Sequence, residues 1–324
     1  MIPSISTKLI SSEATKRGIK FAWLFKPSWY SLSYGDQIEY FNAAYWSSQG
    51  TMAFKLCKDK DKFKKMIEKI GLPTAQGMAF KECEYKEANE FAKQIGWPVV
   101  LKPHNELKGR GVCLMITNST NFKQRWEELA GMDKVLLVEK MYFGKEYRIF
   151  VTDTKVVSVL ERIPANVIGD GKHTISELIG IKDNDKIRNK CKSMDKIVSD
   201  EAVLRKLKKD GLALESIPIA EQYIQLRYAS NLSLGGDSND ATEGIHPSVR
   251  KMAINAVRAI PGLRYGGLDF MTEDITVDQK KVSHAIIEMN GSPGIDANHY
   301  PLLGKPRDCA GAILDIVFPK TKKK

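Results

Sequence analysis

The most pointed chemistry in this sequence sits near its C-terminal end. Asp269 stands in the apolar run Gly-Gly-Leu-Asp-Phe, and Glu288 and Asn290 stand two residues apart in Ile-Ile-Glu-Met-Asn. Residues two apart on a strand share a face, so Glu288 and Asn290 point the same way, and Asp269 joins them if the two runs pair. A carboxylate among apolar neighbours is costly unless it is paired or bound to metal. Two carboxylates and an amide oxygen, with no His or Cys, are hard ligands. They suit Mg²⁺ or Mn²⁺ beside nucleotide phosphates, and not zinc. Hydrogen bonding to nearby turns is the other use for such a trio.

Cations precede them along the chain. Lys102 ends the apolar run Trp97-Pro-Val-Val-Leu-Lys-Pro103, where the following proline keeps it extended and its ammonium fixed. That placement suits a phosphate, though an edge lysine lying along apolar surface reads the same. Lys108-Gly109-Arg110-Gly111-Val112 offers backbone N–H groups and two cations to a phosphate chain, or simply turns a hairpin. Leu-Leu-Val-Glu139-Lys140 is an apolar strand running into charge, followed by Gly144-Lys-Glu146-Tyr-Arg148. Such a strand end presents main-chain edges to an adenine, with Glu146 placed for a ribose; an ordinary solvated strand end has the same pattern. Arg227 opens a Ser-, Asn- and Gly-rich stretch and suits an oxyanion or a carboxylate, or a plain polar loop.

Three other nucleotide signatures are missing. No GxGxxG follows a strand and no GxxxxGK[ST] occurs; Gly169-Asp-Gly-Lys-His-Thr174 has histidine where a P-loop needs a hydroxyl. No kinase-type HRD or DFG set appears.

The elements that must position these groups follow from periodicity. Helices are expected over 59–70, with Phe63, Met66, Ile67 and Ile70 on one face, and over 84–95. Residues 99–101 and 135–138 read as buried strands, and 149–163 as a hairpin turning at Asp153-Thr154. Thr174 and Glu177 form a capping box opening a short helix. Helices are expected at 200–209, at 247–260 and at 306–317, the last with Pro306 in its first turn, and strands at 267–271 and 283–289. The first 55 residues read as an irregular, aromatic-rich lobe packing on the body. Mixed elements with several antiparallel pairs give an α+β (mixed α/β) class. The expected division is 1–55, 56–138 and 139–324.

The chain has 324 residues, with 43% hydrophobic and 27% charged, which excludes disorder, collagen and coiled coil as the main state. No apolar stretch is long enough to span a membrane. Five single cysteines without a CxxC pair read as reduced thiols in a cytosol. The net charge of +11 attracts anions without choosing among nucleotides, carboxylates and nucleic acid.

Taken in order, these stations resemble the ATP-grasp superfamily of carboxylate–amine ligases. Within it they are most similar to the ATP-grasp module of cyanophycin synthetases and bifunctional glutathione synthetases. The phrases that carry this are DKDKFKKMIEKIGLPTAQG, WPVVLKP, KGRGV, GKEYRIFV, ERIPANVIGDGKHTISELI, NLSLGGDSNDAT, IHP and IIEMNGSPGIDANHYP, spread over residues 34–318. The resemblance implies that Lys60 and Lys102 hold ATP phosphates and that Gly109, Arg110 and Gly111 close over them. It implies that Glu139 and Lys140 mark the adenine hinge, with Glu146 near the ribose. Asp269, Glu288 and Asn290 would bind two Mg²⁺ ions, with Mn²⁺ an alternative. Arg227 and Asn231 would face an acyl phosphate. Arg148, Arg162 and the loop with Gly291, Ser292, Gly294 and His299 would line the acceptor site.

The sequence departs from the pattern by lacking the second catalytic halves of both enzyme types, by Glu106 where a glycine is usual, and by a short N-terminal region. A freestanding cytoplasmic ligase is the expectation, acting on small carboxylate and amine substrates such as amino acids or short peptides. It needs neither nucleic acid nor membrane, and a homo-oligomer is compatible with the family. The competing classes are a kinase of a small anionic substrate, a non-catalytic nucleotide-binding protein and a basic nucleic-acid binder.

Overall fold

The computed structural model describes residues 2–104 and 111–322. The hairpin expected at Asp153-Thr154 forms its centre. Strands Lys145–Thr152 and Val156–Ile163 pair antiparallel inside a five-stranded sheet. Across that sheet the order is Asp237–Asp240, Val156–Ile163, Lys145–Thr152, Tyr265–Thr272 and His284–Asn290, with every neighbour antiparallel.

One face of this sheet carries Ile149, Val151, Val159, Leu268, Phe270 and Ile286 into a core. The core is closed by Val249, Ala253, Ala256 and Val257 of helix Pro247–Arg258, and by Phe63 and Ile67 of helix Lys60–Glu68. The Asp59 side chain caps the second helix, accepting from Lys62 N at 3.0 Å. Such a cap contributes about 1 kcal/mol. Burying Phe63 and Ile67 contributes roughly 1.5–3 kcal/mol each, so packing holds the helix against the sheet.

The opposite face meets the N-terminal lobe. The expectation of irregular structure there is corrected. Helix Ile5–Lys16 is followed by a four-stranded antiparallel sheet running from Lys20 to Trp46. Its aromatic residues mislead because they alternate: Tyr30, Leu32 and Phe41 turn inward onto Phe150, Tyr265 and helix Cys309–Val317, while Trp29, Ile38 and Tyr40 stay exposed. The closing helix also starts later than expected. Asp308 caps it, accepting from Gly311 N at 2.8 Å, and Pro306 lies outside.

A separate sheet of Gly77–Lys81, Val135–Lys140, Val99–Pro103 and Cys113–Ile116 carries helices Tyr85–Ile95 and Ser119–Ala130. It has a core of its own, including Val99, Leu101, Phe122, Trp126 and Val138. The chain passes between sheets through Pro73–Ala75, where Ala75 N donates to Ile286 O at 3.2 Å.

The segment after Ile163 builds a small unit on strands Asn166–Ile168 and Tyr223–Gln225 with helices Ile175–Asp183 and Glu201–Lys209. The capping box forms as expected: Thr174 Oγ1 accepts from Glu177 N, and Glu177 accepts from Thr174 N. A buried ion network ties this unit to the central sheet. Asp237 accepts from Lys182 at 2.6 Å and from Arg188. No helix of the described residues is long and apolar enough to cross a membrane.

Candidate active site

The two C-terminal runs do pair, and they bring the expected oxygen donors together. Asp269 stands opposite Glu288, and Gly267 opposite Asn290. The register shifts between Asp269 and Phe270, so that Phe270 pairs with Ile286 and Ile287 is the extra residue. This bulge solves a conflict in the sequence. Strict alternation would send Ile286 and Glu288 to the same face, yet Ile286 is fully buried in the core and Glu288 is partly exposed beside Asp269. Asn290 accepts from Ser292 N at 2.9 Å through its Oδ1, which shapes the loop that follows.

Asp269 is buried and directly opposite Arg148 on the neighbouring strand. Arg148 holds it with a two-pronged contact, Nε to Oδ1 at 2.5 Å and Nη2 to Oδ2 at 3.0 Å. Arg162 comes within 3.6 Å of Asp269 and donates to Glu146 at 2.8 Å. Gly267 is what makes room: a Cβ there would lie 2.9 Å from Arg148 Nη1. Burial pushes the Asp269 carboxyl up, but Arg148 and Arg162 outweigh it and hold its pKa below the usual value. Glu288 has the reverse balance. Burial, then the charge of Asp269, raises its pKa despite Lys60 and Lys102.

The lysines converge on the same place. Lys60, the first residue of its helix, lies 3.9 Å from Glu288. Burial, then nearby Lys102, lowers its pKa. Lys102 is buried at the end of its strand and pairs with Glu139 at 2.5 Å. Burial pulls its pKa down, but Glu139, Glu288 and Asp269 together raise it. Glu139 is itself buried, and its second oxygen is taken by Lys64, a residue absent from the sequence expectations. Burial favours its neutral form, yet Lys102 and Lys64 keep its pKa below the ordinary value. One signal for Lys64 was available: it lies one helical turn from Lys60 and so shares its face.

The remaining expected residues divide. Glu146 accepts from Arg162 and Ser230, at the edge of the arginine pair. Lys140 is exposed, and its N–H donates to Gln76 O at 2.8 Å. Gly111 packs on Pro103, where a Cβ would stand 2.8 Å from the ring. Gly109 and Arg110 lie outside the described residues, as do Glu106 and Lys108. Gly291 packs against Cys57, and Gly294 approaches Asp296 and Ser193. Arg227 is not drawn into the cluster. It donates to Val198 O at 2.7 Å and pairs with Asp200 at 2.9 Å, and its Nε is buried with no partner among the described residues. Asn231 stands just before the turn Leu232–Leu234, its carbonyl accepting from Gly236 N at 3.1 Å. His299 faces elsewhere: its Nε2 accepts from Ala310 N at 3.2 Å at the closing helix.

Among the described residues, no three His, Cys, Asp or Glu side chains form a metal-holding group. The donor set here is two carboxylates and an amide. Its chemistry fits a hard divalent cation: every donor is an oxygen, and Asp269 and Glu288 stand opposite each other on paired strands, where such an ion would offset two adjacent negative charges. The same surface presents Lys60, Lys102, Arg148 and Arg162, cations suited to a polyphosphate and a second anion.

Comparison with known proteins gives a consistent setting. Residues 59–189 match the family model described as carbamoyl-phosphate synthase L chain, ATP binding domain. The chain is 34% identical over 317 residues to cyanophycin synthetase of Trichormus variabilis, covering 97% of this chain and 35% of that protein. It is 32% identical over 323 residues to a glutathione biosynthesis bifunctional protein of Clostridium perfringens, covering 97% of this chain and 41% of that one. The chain thus spans well under half the length of these curated relatives. In three dimensions it is similar to the crystal structure of a bifunctional glutathione synthetase from Pasteurella multocida, with a TM-score of 0.72 and 30% identity over 98% of this chain and 44% of that one. It also shares its fold with D-alanine–D-alanine ligase from Bacillus anthracis, at a TM-score of 0.50 and 15% identity over 84% of this chain and 69% of that one.

Proposed function

This chain belongs to the ATP-grasp superfamily, and from that premise we propose that it is an ATP-dependent carboxylate–amine ligase, joining amino acids or short peptides with release of ADP and phosphate. The observation that carries the reading is convergence: two carboxylates, two lysines and two arginines, each from a different helix or strand, meet at one end of the central sheet. That grouping suits bringing two anions together, which is the difficulty in attacking a phosphate with a carboxylate.

In this reading Lys60 and Lys102 bind the ATP phosphates and offset their charge. Arg148 and Arg162 lie beside the carboxylates, where they orient an incoming substrate carboxylate and hold the acyl phosphate. The amine then attacks the acyl carbon, and the developing oxyanion needs donors of the same kind. Arg227, given that role by resemblance, reaches it only by leaving Asp200 and Val198 O. Asp269, Glu288 and Asn290 would hold Mg²⁺, which when bound neutralises phosphate charge. The lobe from about 70 to 138 is the natural lid, since an acyl phosphate must be kept from water.

The test is ADP release from Mg·ATP across a matrix of amino-acid and dipeptide pairs, with product masses. Hydroxylamine as acceptor separates the classes: a hydroxamate marks an activated acyl group, whereas a kinase leaves a stable phosphorylated product. Glu288→Gln should abolish substrate-dependent ADP release while the protein still melts cooperatively. Near-wild-type turnover in that variant would sink the assignment.

A further inference from the structure

Glu139 is a buried carboxylate with a cation on each oxygen. Lys102 reaches it from the lid strand Val99–Pro103, and Lys64 reaches it from helix Lys60–Glu68, which packs in the core of the central sheet. Lys64 is buried and also donates to Ala75 O at 3.0 Å, in the segment that crosses from body to lid. The arrangement is built for. Gly77 lies opposite Glu139 on the adjacent strand, and a Cβ there would stand 2.6 Å from Glu139 Cγ. The missing side chain leaves the path along which Glu139 runs.

Two lysines on one buried carboxylate are more than pairing requires. A buried ion pair that loses one partner leaves an uncompensated charge, a strongly unfavourable state. A lysine bound to a single buried carboxylate is therefore not free to turn to another anion. From this redundancy we infer that Lys64 is a positioning residue for nucleotide binding: it keeps Glu139 neutralised from the body side, which releases Lys102 to engage the phosphates. The inference rests on the nucleotide-binding reading above and adds a residue and a division of labour within it. Lys64 touches no phosphate. Its effect passes through Glu139 to Lys102.

The experiment measures the affinity of the full chain for Mg·AMP-PNP by isothermal titration, in the unaltered protein and in Lys64→Met, Glu139→Gln and the double variant. Lys64→Met should weaken binding at least tenfold, because Lys102 then becomes the only cation left on Glu139. The double variant removes the carboxylate charge as well, and should recover most of that loss. A purely structural role for Lys64 predicts no such recovery, since Glu139→Gln does not restore its packing. If Lys64→Met does not fold, Lys64→Gln, which keeps a hydrogen-bond donor without charge, makes the same comparison. A folded Lys64 variant that binds like the unaltered protein, or a double variant as weak as the single one, overturns the inference alone. Absence of binding by the unaltered protein overturns the nucleotide reading, and this inference falls with it.

Discussion

Arg148 stands directly across the sheet from Asp269 and occupies both of its carboxylate oxygens, at 2.5 and 3.0 Å. A guanidinium fork matches a carboxylate in a way an ammonium does not. It also places a cation beside the residue expected to hold metal, so substrate carboxylate and metal would meet across one side chain. Arg148→Lys should therefore keep the fold but lower ADP formation at least tenfold. Arg148→Met should in addition destabilise the protein by about 3–5 kcal/mol, because a buried carboxylate loses its main partner. Chemical denaturation and the ADP assay read the two effects separately. If Arg148→Met unfolds at the wild-type denaturant concentration, the pair is not what holds Asp269 in the sheet.

Much of this site could be read from the chain because strand alternation and helix periodicity are local. The strands that carry Asp269 and Glu288, the hairpin at Asp153-Thr154 and the strand that carries Lys102 all follow from such patterns. What escaped was set by tertiary contact. The bulge at Ile287 cannot be seen in a run of alternating residues, since only the core demands Ile286. Lys64 looks like one more surface lysine in a lysine-rich helix until Glu139 arrives from 75 positions away. Arg227 and His299 had suitable types and spacing, but nearer partners claim them: Val198 and Asp200 for one, Ala310 for the other. The N-terminal strands read as irregular because aromatic residues lie on both of their faces, blurring the inward–outward rhythm.

Glycine at 144 is demanded by the approach to the site strand. Its φ is +119°, and a Cβ would lie 2.2 Å from Thr272 O, a backbone atom that cannot simply rotate away. Gly144→Ala should cost at least about 1–3 kcal/mol in strain and push strand Lys145–Thr152 out of register with Tyr265–Thr272. Gly180 is the control. It sits in helix Ile175–Asp183 with open space at its Cβ position, so Gly180→Ala should stabilise by about 0.4–1 kcal/mol. Urea melts of both variants decide the matter, and equal effects would show that backbone approach at 144 is not limiting.

The cysteines should separate by reactivity. The thiolate is the reactive form, so a raised pKa protects a thiol. Burial pushes Cys57 up to about 12, where it packs 3.2 Å from the Cβ position of Gly291, and pushes Cys191 up to about 12 as well. Cys309 is fully buried, and burial raises its thiol well above the ordinary value. Cys83 is exposed. At pH 8 Cys83 should label fast in the native protein, with Cys57, Cys191 and Cys309 appearing only in denaturant. Mass spectrometry after brief iodoacetamide treatment identifies the site. Rapid modification of Cys57 in the folded protein would mean that the loop at Gly291 opens far more than its packing allows.

His299 makes stability depend on pH in a defined direction. Burial lowers its pKa, only partly offset by Asp308, Asp296 and Glu13, and its Nε2 must be unprotonated to accept the Ala310 N–H. The unfolded chain therefore binds a proton at this position more readily than the folded one, and stability rises with pH wherever that difference holds. The contribution is fully present above the ordinary histidine value near 6.5 and is lost as pH falls through the lower folded value. His299→Gln removes the titration while its amide oxygen can still accept from Ala310. The difference in melting temperature between pH 7.5 and pH 5.5 should shrink in this variant, with little change at pH 7.5. An unchanged pH dependence would place the acid-sensitive group elsewhere.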